Sequence, residues 1–564
     1  MRDTLWIRPD DDGTGARLAA EMGVSEAIGR LLVRRGISDI DAARRFLHGT
    51  LDELIDPFLM NGMREAVGRI RRAVDLKEKI LVFGDYDVDG VLSVVMLLKA
   101  LRALGADADF FIPDRLREGY GIKREHAAVV AERGVGLVIS VDCGIKAVDF
   151  TERVREMGAD VIITDHHLPG EVLPRALAVL NPVLEDSGYP EKGLAGVGVA
   201  YKLIQALLDG GARGPEWVQN YLKPVAIGTI ADVAPLKGEN RILVRYGLDG
   251  LGEVSNVGLR KLLEACGLSR RRISEGDIGF RIGPRINAAG RMGDAAMAVR
   301  LFFAPEAEAA EIVARLEKLN AKRQSEEDKI FKDAVRRVGE RGLESRYKFF
   351  ALGSPDWHRG IVGIVASKLK DHYHRPVLLF SYEDGKAHGS GRSISGFPII
   401  DCLEACRGHV LSYGGHPMAV GCVLETARLP EFKAALNAFA AARLSDEDLR
   451  PRIRIDDRLG LAEIDDAFLA QYRLLGPFGA GNPRPVFLSE AVEVSGPPQI
   501  LKNKHLKFTA RQDGAARKAL AWGRSDWAPR LRPRGRVDLV YSLQFSEFLG
   551  EEETSLNVED LKER

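Results

Sequence analysis

The stretch KILVFGDYDVDGVLSVVMLLKALRALG, Lys79–Gly105, decides how the rest of the chain is read. It opens on an apolar run without polar alternation, the pattern of a strand buried on both faces of a parallel sheet. Past a glycine-bracketed loop it continues into the apolar text of a helix. Strand, loop and helix in that order form the repeating unit of α/β folds. Inside the loop Asp85, Asp87 and Asp89 fall on alternate positions. Carboxylates packed so closely repel one another, so the loop serves one of two ends. Either the aspartates are turn formers and Asp89 caps the helix that follows, or they are oxygen donors for a cation.

Outward from this stretch, residues 61–236 alternate helical text with further apolar runs: ADFFIPD, GLVISVDCG, ADVIITDHH and ALAVLNP. Four of the five runs end in an Asp-bearing loop, which projects Asp85, Asp114, Asp142 and Asp165 toward one edge of a parallel sheet, where ligands of α/β proteins bind. His166 and His167 join that set. Clustered hard oxygens with imidazoles suit a pair of divalent ions, and imidazole favours Mn²⁺ over Mg²⁺. Adjacent histidines diverge in an extended loop, so His166 is the candidate ligand. His167 either faces the substrate or supports the site from behind.

The remaining text divides into further units, as 564 residues require at roughly 100–200 residues per domain. An N-terminal helical segment (1–55) precedes the α/β domain (56–300). Residues 301–342 read as one long connecting helix, since Pro305 to Gly342 meets no glycine or proline until Gly339. A smaller α/β domain follows at 343–448, with glycine-rich stretches GSGRSISGF and SYGGHPMAVGCVL. From 449 to 564 short alternating strands suggest a C-terminal β barrel of OB type.

Bulk composition is silent about partners: Lys+Arg and Asp+Glu balance at 81 each. Hydrophobic residues at 45% and charged residues at 29% exclude a disordered chain. Five cysteines without paired metal-knuckle spacing point to a reducing compartment, and the expectation is a cytoplasmic protein without export or membrane segments. Neither a Walker sequence nor a cysteine nucleophile arrangement is present.

Anion contacts must come from local clusters. In RRRISEGDIGFRIGPRINAAGR, Arg270 to Arg291, the leading Arg270–Arg272 run reads as a solvated face, while Arg285 and Arg291, set among small residues, are candidates for phosphate. Arg115, at a strand end on the active edge, is a candidate for a terminal 5′ phosphate. In the second domain Gly414 and Gly415 let backbone amides approach a phosphate, with Arg392, Ser393 and His416 supplying side chains. Trp357 and His358 either contact the substrate or, for Trp357, fill the core. The barrel offers Lys502, Lys504, His505 and Lys507 as a groove for single strands, or else serves structure and protein contacts.

GDYDVDG, SVDCGI, TDHHLPG and AIGTIADVAPL occur in the order seen in the DHH phosphoesterases, which this sequence resembles. FIPDRLREGYG, LAGVGVAYKL, PRINAAGRMGD, WHRGIVGIVASKL, GSGRSISGF, GGHPMAVG and LGPFGAGNPRPVF narrow the resemblance to the RecJ family of single-stranded-DNA-specific exonucleases. The resemblance implies a DHH domain, a DHH-associated domain and an OB-like end. It implies two divalent ions: Asp87 on the first, Asp89, His166 and Asp232 on the second, and Asp142 bridging, with Asp85 and His167 in the same motifs. Some relatives carry a histidine four residues before Asp87; here that position is Phe83, which cannot coordinate. Asn287 falls in a motif expected to touch substrate. The implied activity is 5′-to-3′ removal of mononucleotides from single-stranded DNA in repair and recombination. A monomer working with single-strand-binding protein and helicases is implied as well. Two other readings share the motifs: a phosphodiesterase or pyrophosphatase for small substrates, and a replication-fork subunit that binds strands after losing its metals. The OB-like end argues against the first, and the intact aspartate and histidine set against the second.

Overall fold

The computed structural model describes residues 4–8, 13–115, 118–119, 121–209, 215–269, 271–548 and 551–564. Its first sheet is built from β1 (Lys79–Gly84), β2 (Asp107–Phe111), β3 (Leu137–Val141), β4 (Asp160–Thr164) and β5 (Ala178–Leu180). All neighbours are parallel, in the order β2-β1-β3-β4-β5. β1 lies between β2 and β3, with Val82 opposite both Phe110 and Ile139. The strand order reverses there, and the crevice beyond the carboxyl ends of β1 and β3 is the place where doubly wound sheets bind ligands. The aspartate loop after β1 and Asp142 after β3 flank it.

The helix after β1, α1 (Val88–Ala103), is apolar nearly all round because it is covered nearly all round. It packs on the sheet and against α2 (Gly196–Leu208) and α3 (Leu222–Ala231). A buried ion pair ties this layer down: Lys202, fully enclosed in α2, lies 2.8 Å from Glu239, whose other oxygen accepts the Tyr189 hydroxyl. Removing one partner of such a pair strands a charge in the core.

A π-turn (Ile278–Ile282) leads into α4 (Gly283–Met292). The connecting helix α5 (Glu306–Glu340) spans about 52 Å at 1.5 Å per residue and packs against α4 and then α6 (Val362–Tyr373). The second sheet combines β6 (Phe350–Ser354), β7 (Val377–Glu383), β8 (Lys386–Arg392), β9 (Ser412–His416) and β10 (Ala419–Glu425) in the order β9-β10-β8-β7-β6. Only β6 and β7 run parallel.

The C-terminal barrel contains β11 (Asp457–Arg458), β12 (Val486–Leu501), β13 (His505–Gln512), β14 (Ala515–Ala521), β15 (Arg536–Phe548) and β16 (Glu551–Glu563). Pairing of β12 with both β13 and β15 closes it. The N-terminal helices pack into the barrel's own core: Ile28, Leu31, Leu32 and Leu47 are fully buried together with Leu461, Tyr472 and Phe487. The strand Leu5–Ile7 pairs in parallel with Arg452–Arg454. The two ends of the chain therefore fold as one body.

Arg241 joins that body to the first domain. Its guanidinium is buried and donates to four backbone carbonyls, those of Phe46, Leu474, Leu475 and Gly476, while lying 3.8 Å from the Phe46 ring centre. Asn482 in LGPFGAGNPRPVF holds the same connector by donating to Leu475 and Pro477 and accepting from Arg35. Among the described residues no helix is long and apolar enough to cross a membrane.

Candidate metal centre and nucleic-acid cleft

The aspartate loop is shaped by its own hydrogen bonds. Asp87, not Asp89, caps α1: its Oδ1 accepts the amides of Asp89 and Gly90 at 2.9 and 3.1 Å. Asp89 sits inside the first turn, enclosed, with its two oxygens held by the amides of Gly196 and Val197 at 2.7 and 2.8 Å. Asn287 on α4 accepts the Val88 amide at 3.2 Å and so steadies the loop from the far side. The cap is thus real, but two residues earlier than its sequence reading, which leaves Asp89 facing the site.

Donor atoms gather in overlapping groups, each within 4.8 Å: Asp85, Asp87 and Asp142; Asp89, His166 and Asp232; and Asp142, His166 and His167. Asp142 belongs to two of them and stands in left-handed backbone at φ 58°, which turns its side chain out of the β3 line. Asp232 follows the last turn of α3. His166 Nε2 is 3.0 Å from Asp142, 3.8 Å from Asp89 and 3.9 Å from Asp232.

Electrostatics mark the same atoms. Burial, followed by the charge of Asp87, pushes Asp85 up to about 8 and Asp232 up to about 7. Burial and neighbouring carboxylates raise Asp89 and Asp142 well above the usual carboxylate range. Burial, then the neighbouring His167, lowers His166 to about 4, so its imidazole is neutral with a free lone pair. Asp142 Oδ1 and His166 Nε2 are both enclosed and have no hydrogen-bond partner. The two atoms stand 3.0 Å apart in an enclosed space, where a bridging cation would satisfy both. The donor set fits divalent ions.

Asp165 is not among these donors. It accepts the amides of Ile145, His166 and His167 and the Nδ1 side of the His167 ring, at 2.7 to 3.1 Å. Burial alone would raise its pKa; the His167 ring together with the Ile145 and His167 amides outweighs that and lowers it. Burial alone would lower His167, and Asp165 raises it instead. Asp165 thus fixes the ring of His167, the support a working histidine needs. Asp114 stays outside the metal groups, its amide donating to Glu118. Phe83, in the position of the missing histidine, is buried against Phe111, His126 and Phe150.

Beside the carboxylates a cleft of about 460 Å³ opens between the first and second domains, lined by Tyr86, Arg115, Arg291, Arg359, Arg392 and Gly414. Arg115 lies over the Tyr86 ring at 4.7 Å. Burial, then Arg115, pushes Arg291 down to about 10 and lowers Arg392. Crowded cations without carboxylate partners leave room for an anion. Gly415 and His416 continue β9 on its exposed side, and His358 accepts the Gly360 amide at the rim.

Three sequence candidates are otherwise engaged. Trp357 is a core residue, 3% exposed, its indole N–H donating to Asp333. Ser393 is buried and donates to the Phe397 carbonyl. Arg285 is paired with Glu317 of α5 and donates to the Arg281 carbonyl. Tyr86 and Arg359, absent from the sequence candidates, line the cleft instead; both lie inside motifs, DYD and WHRG, where neighbouring residues drew the attention.

A second cleft, about 910 Å³, separates the first domain from the barrel. Arg271 and Arg272, both exposed as read from the sequence, line it together with Arg473, Arg484, Phe545 and Trp522, which is 51% exposed. Arg270 lies outside the described residues. His505 packs against Trp522 at 4.8 Å, while Lys502 and Lys504 stand at the adjoining turn.

Comparison with known proteins agrees with this architecture. Residues 79–229 match the DHH family, N-terminal domain; residues 346–442 match the DHHA1 domain; residues 455–560 match the RecJ OB domain. The chain is 37% identical to the single-stranded-DNA-specific exonuclease RecJ of Bacillus subtilis, covering 98% of this chain and 70% of that protein. It is 32% identical to the protein of the same description from Salmonella typhimurium, over the full length of both. The crystal structure of RecJ in complex with Mn²⁺ from Thermus thermophilus superposes with a TM-score of 0.83 at 33% identity, covering 100% of this chain and 80% of that one. A Mg²⁺ complex from the same source gives 0.76 at 31% identity, covering 100% of this chain and 79% of that one.

Proposed function

The chain belongs to the RecJ family of single-stranded-DNA-specific exonucleases, and we propose that it trims single strands from the 5′ end, releasing 5′ mononucleotides with the help of two divalent ions, in DNA repair and recombination. It is a metal-dependent exonuclease of single-stranded DNA. The observation that carries the two-ion reading is the sharing of Asp142 between a carboxylate group with Asp85 and Asp87 and a mixed group with His166. Mn²⁺ is the preferred ion on this reading, because neutral His166 offers nitrogen to the second group.

Divalent ions held there supply an activated water and neutralise charge on the scissile phosphate. The protein's own part is positioning and charge. Asp87, Asp89, Asp142, His166 and Asp232 would hold the ions, and Asp85 would complete the first group. His167, its pKa raised by Asp165, would hydrogen-bond the departing 3′ oxygen of the terminal nucleotide. Arg115, Arg291 and Arg392 take the terminal 5′ phosphate, with backbone approach at Gly414. With the 5′ phosphate held there, the first internucleotide bond would be the one presented to the metal groups; the polarity itself rests on the resemblance to the family. The strand continues through the larger cleft, where Arg271, Arg272 and Trp522 supply charge and a stacking face.

The test uses single strands labelled at either end, with 5′-phosphate or 5′-hydroxyl termini, and a blunt duplex, in Mn²⁺, Mg²⁺ or chelator. Expected is Mn²⁺-dependent release of 5′ mononucleotides, fastest from 5′-phosphorylated single strands. Cleavage in chelator, or stepwise release from the 3′ end, would overturn the reading.

A further inference from the structure

The N-terminal turn of α2 touches both halves of the metal centre through backbone alone. The Gly196 and Val197 amides hold the two oxygens of Asp89. The same Gly196 lies so close to Asp142 that a Cβ built on it would stand 2.7 Å from the Asp142 Cβ and 2.8 Å from its Oδ1. From the opposite side Gly228 of α3 closes on the turn: a Cβ there would stand 2.6 Å from Val197 and 3.0 Å from Asp89 Oδ1. Asp142 has little freedom to retreat, being 2% exposed, with its amide donating to the Thr164 carbonyl. Nor can α2 readily slide, since Lys202 is locked to Glu239 and to the Ile55 carbonyl.

We propose that the Gly196–Val197 turn is a positioning element that sets the separation of Asp89 and Asp142 and thereby the affinity of the protein for its divalent ion. This rests on the metal reading above. One methyl group at Gly196 cannot be absorbed by a flexible side chain, because its nearest neighbours are the short Asp142 side chain and its carboxylate. The displaced carboxylate then leaves the groups it forms with Asp85 and Asp87 and with His166, which itself belongs to the Asp89 group.

The experiment measures Mn²⁺ binding to the DNA-free protein by the EPR signal of free Mn²⁺, beside thermal melting in chelator. Variants are Gly196→Ala, Gly228→Ala and, as control, Gly198→Ala, whose added methyl meets only the flexible Leu194 side chain. Expected is at least tenfold weaker Mn²⁺ binding in Gly196→Ala and a smaller loss in Gly228→Ala. Both should melt in chelator within a few degrees of wild type, with Gly198→Ala binding like wild type. High Mn²⁺ should restore exonuclease activity to Gly196→Ala. Wild-type binding in Gly196→Ala, an equal loss in Gly198→Ala, or failure of both Gly196→Ala and Gly228→Ala to fold would overturn the proposal. A wild-type protein that binds no Mn²⁺ would instead sink the metal reading beneath it.

Discussion

Two clefts in this molecule are lined with arginine, and they use it differently. In the smaller one Arg115, Arg291 and Arg392 have no carboxylate partner among the described residues, although a dense carboxylate cluster lies alongside. In the larger one Arg473 pairs with Glu552 at 2.9 Å and lies over Phe545, while Arg484 lies over Phe478 and 3.9 Å from Glu275. In the first, arginines and carboxylates stand side by side without pairing, an arrangement suited to holding both a cation and an anion. The second spends part of its charge on holding the barrel, and Arg271, Arg272 and Trp522 are the ligand contacts proposed above. Burial of unpaired charge costs stability, and it is concentrated at the candidate metal centre.

The sharpest break with this comparison would come from Asp142. Replacing it with Asn should lower Mn²⁺-dependent nucleotide release by about a thousandfold, the several kcal/mol assigned to metal-ion charge stabilisation. Activity within tenfold of wild type would show that the carboxylate cluster is not the catalytic centre. Next in size, Arg392→Ala should remove about a hundredfold preference for 5′-phosphorylated over 5′-hydroxyl strands, as loss of charged hydrogen bonds allows. An unchanged preference would leave the smaller cleft without its anion. In the larger cleft Trp522→Ala should weaken binding of long single strands about tenfold while sparing release from very short ones, as loss of one stacking face predicts. Equal effects at all lengths, measured by fluorescence anisotropy, would erase the distinction between the clefts. The smallest effect belongs to Arg473→Ala. Its ion pair with Glu552 is partly exposed and worth at most about 1 kcal/mol, so activity should stay within about threefold.

Much of the centre is legible in the residues alone. Asp85, Asp87, Asp89, Asp142 and His166 end apolar runs, and a parallel sheet carries such ends to one edge, so their convergence follows from pattern alone. The position of the helix cap is not legible, because Asp87 and Asp89 are equally good capping residues and only the loop's path chooses between them. Trp357, Ser393 and Arg285 look like ligand contacts because they sit in motifs beside glycine and arginine. Their engagement with Asp333, Phe397 and Glu317 depends on partners 4 to 32 residues away that no local pattern announces. Asp165 reads as one more donor, and only its three amide contacts reveal a residue that orients His167.

By itself the sequence determined the α/β plan, the order of the domains and the long connecting helix, since each is written in hydrophobic period or in residue type at fixed spacing; the candidate donors at the strand ends were legible in the same way, while Asp232 entered only through the resemblance to the family. Tertiary structure alone decided that the first helices complete the barrel at the far end of the chain, with Leu31 and Leu47 buried beside Leu461 and Tyr472. It alone decided which arginines stand apart from carboxylates and how Gly196 sets two carboxylates against one another. Those outcomes rest on contacts between segments separated by tens to hundreds of residues, and contact distance, unlike periodicity, leaves no mark on either segment alone.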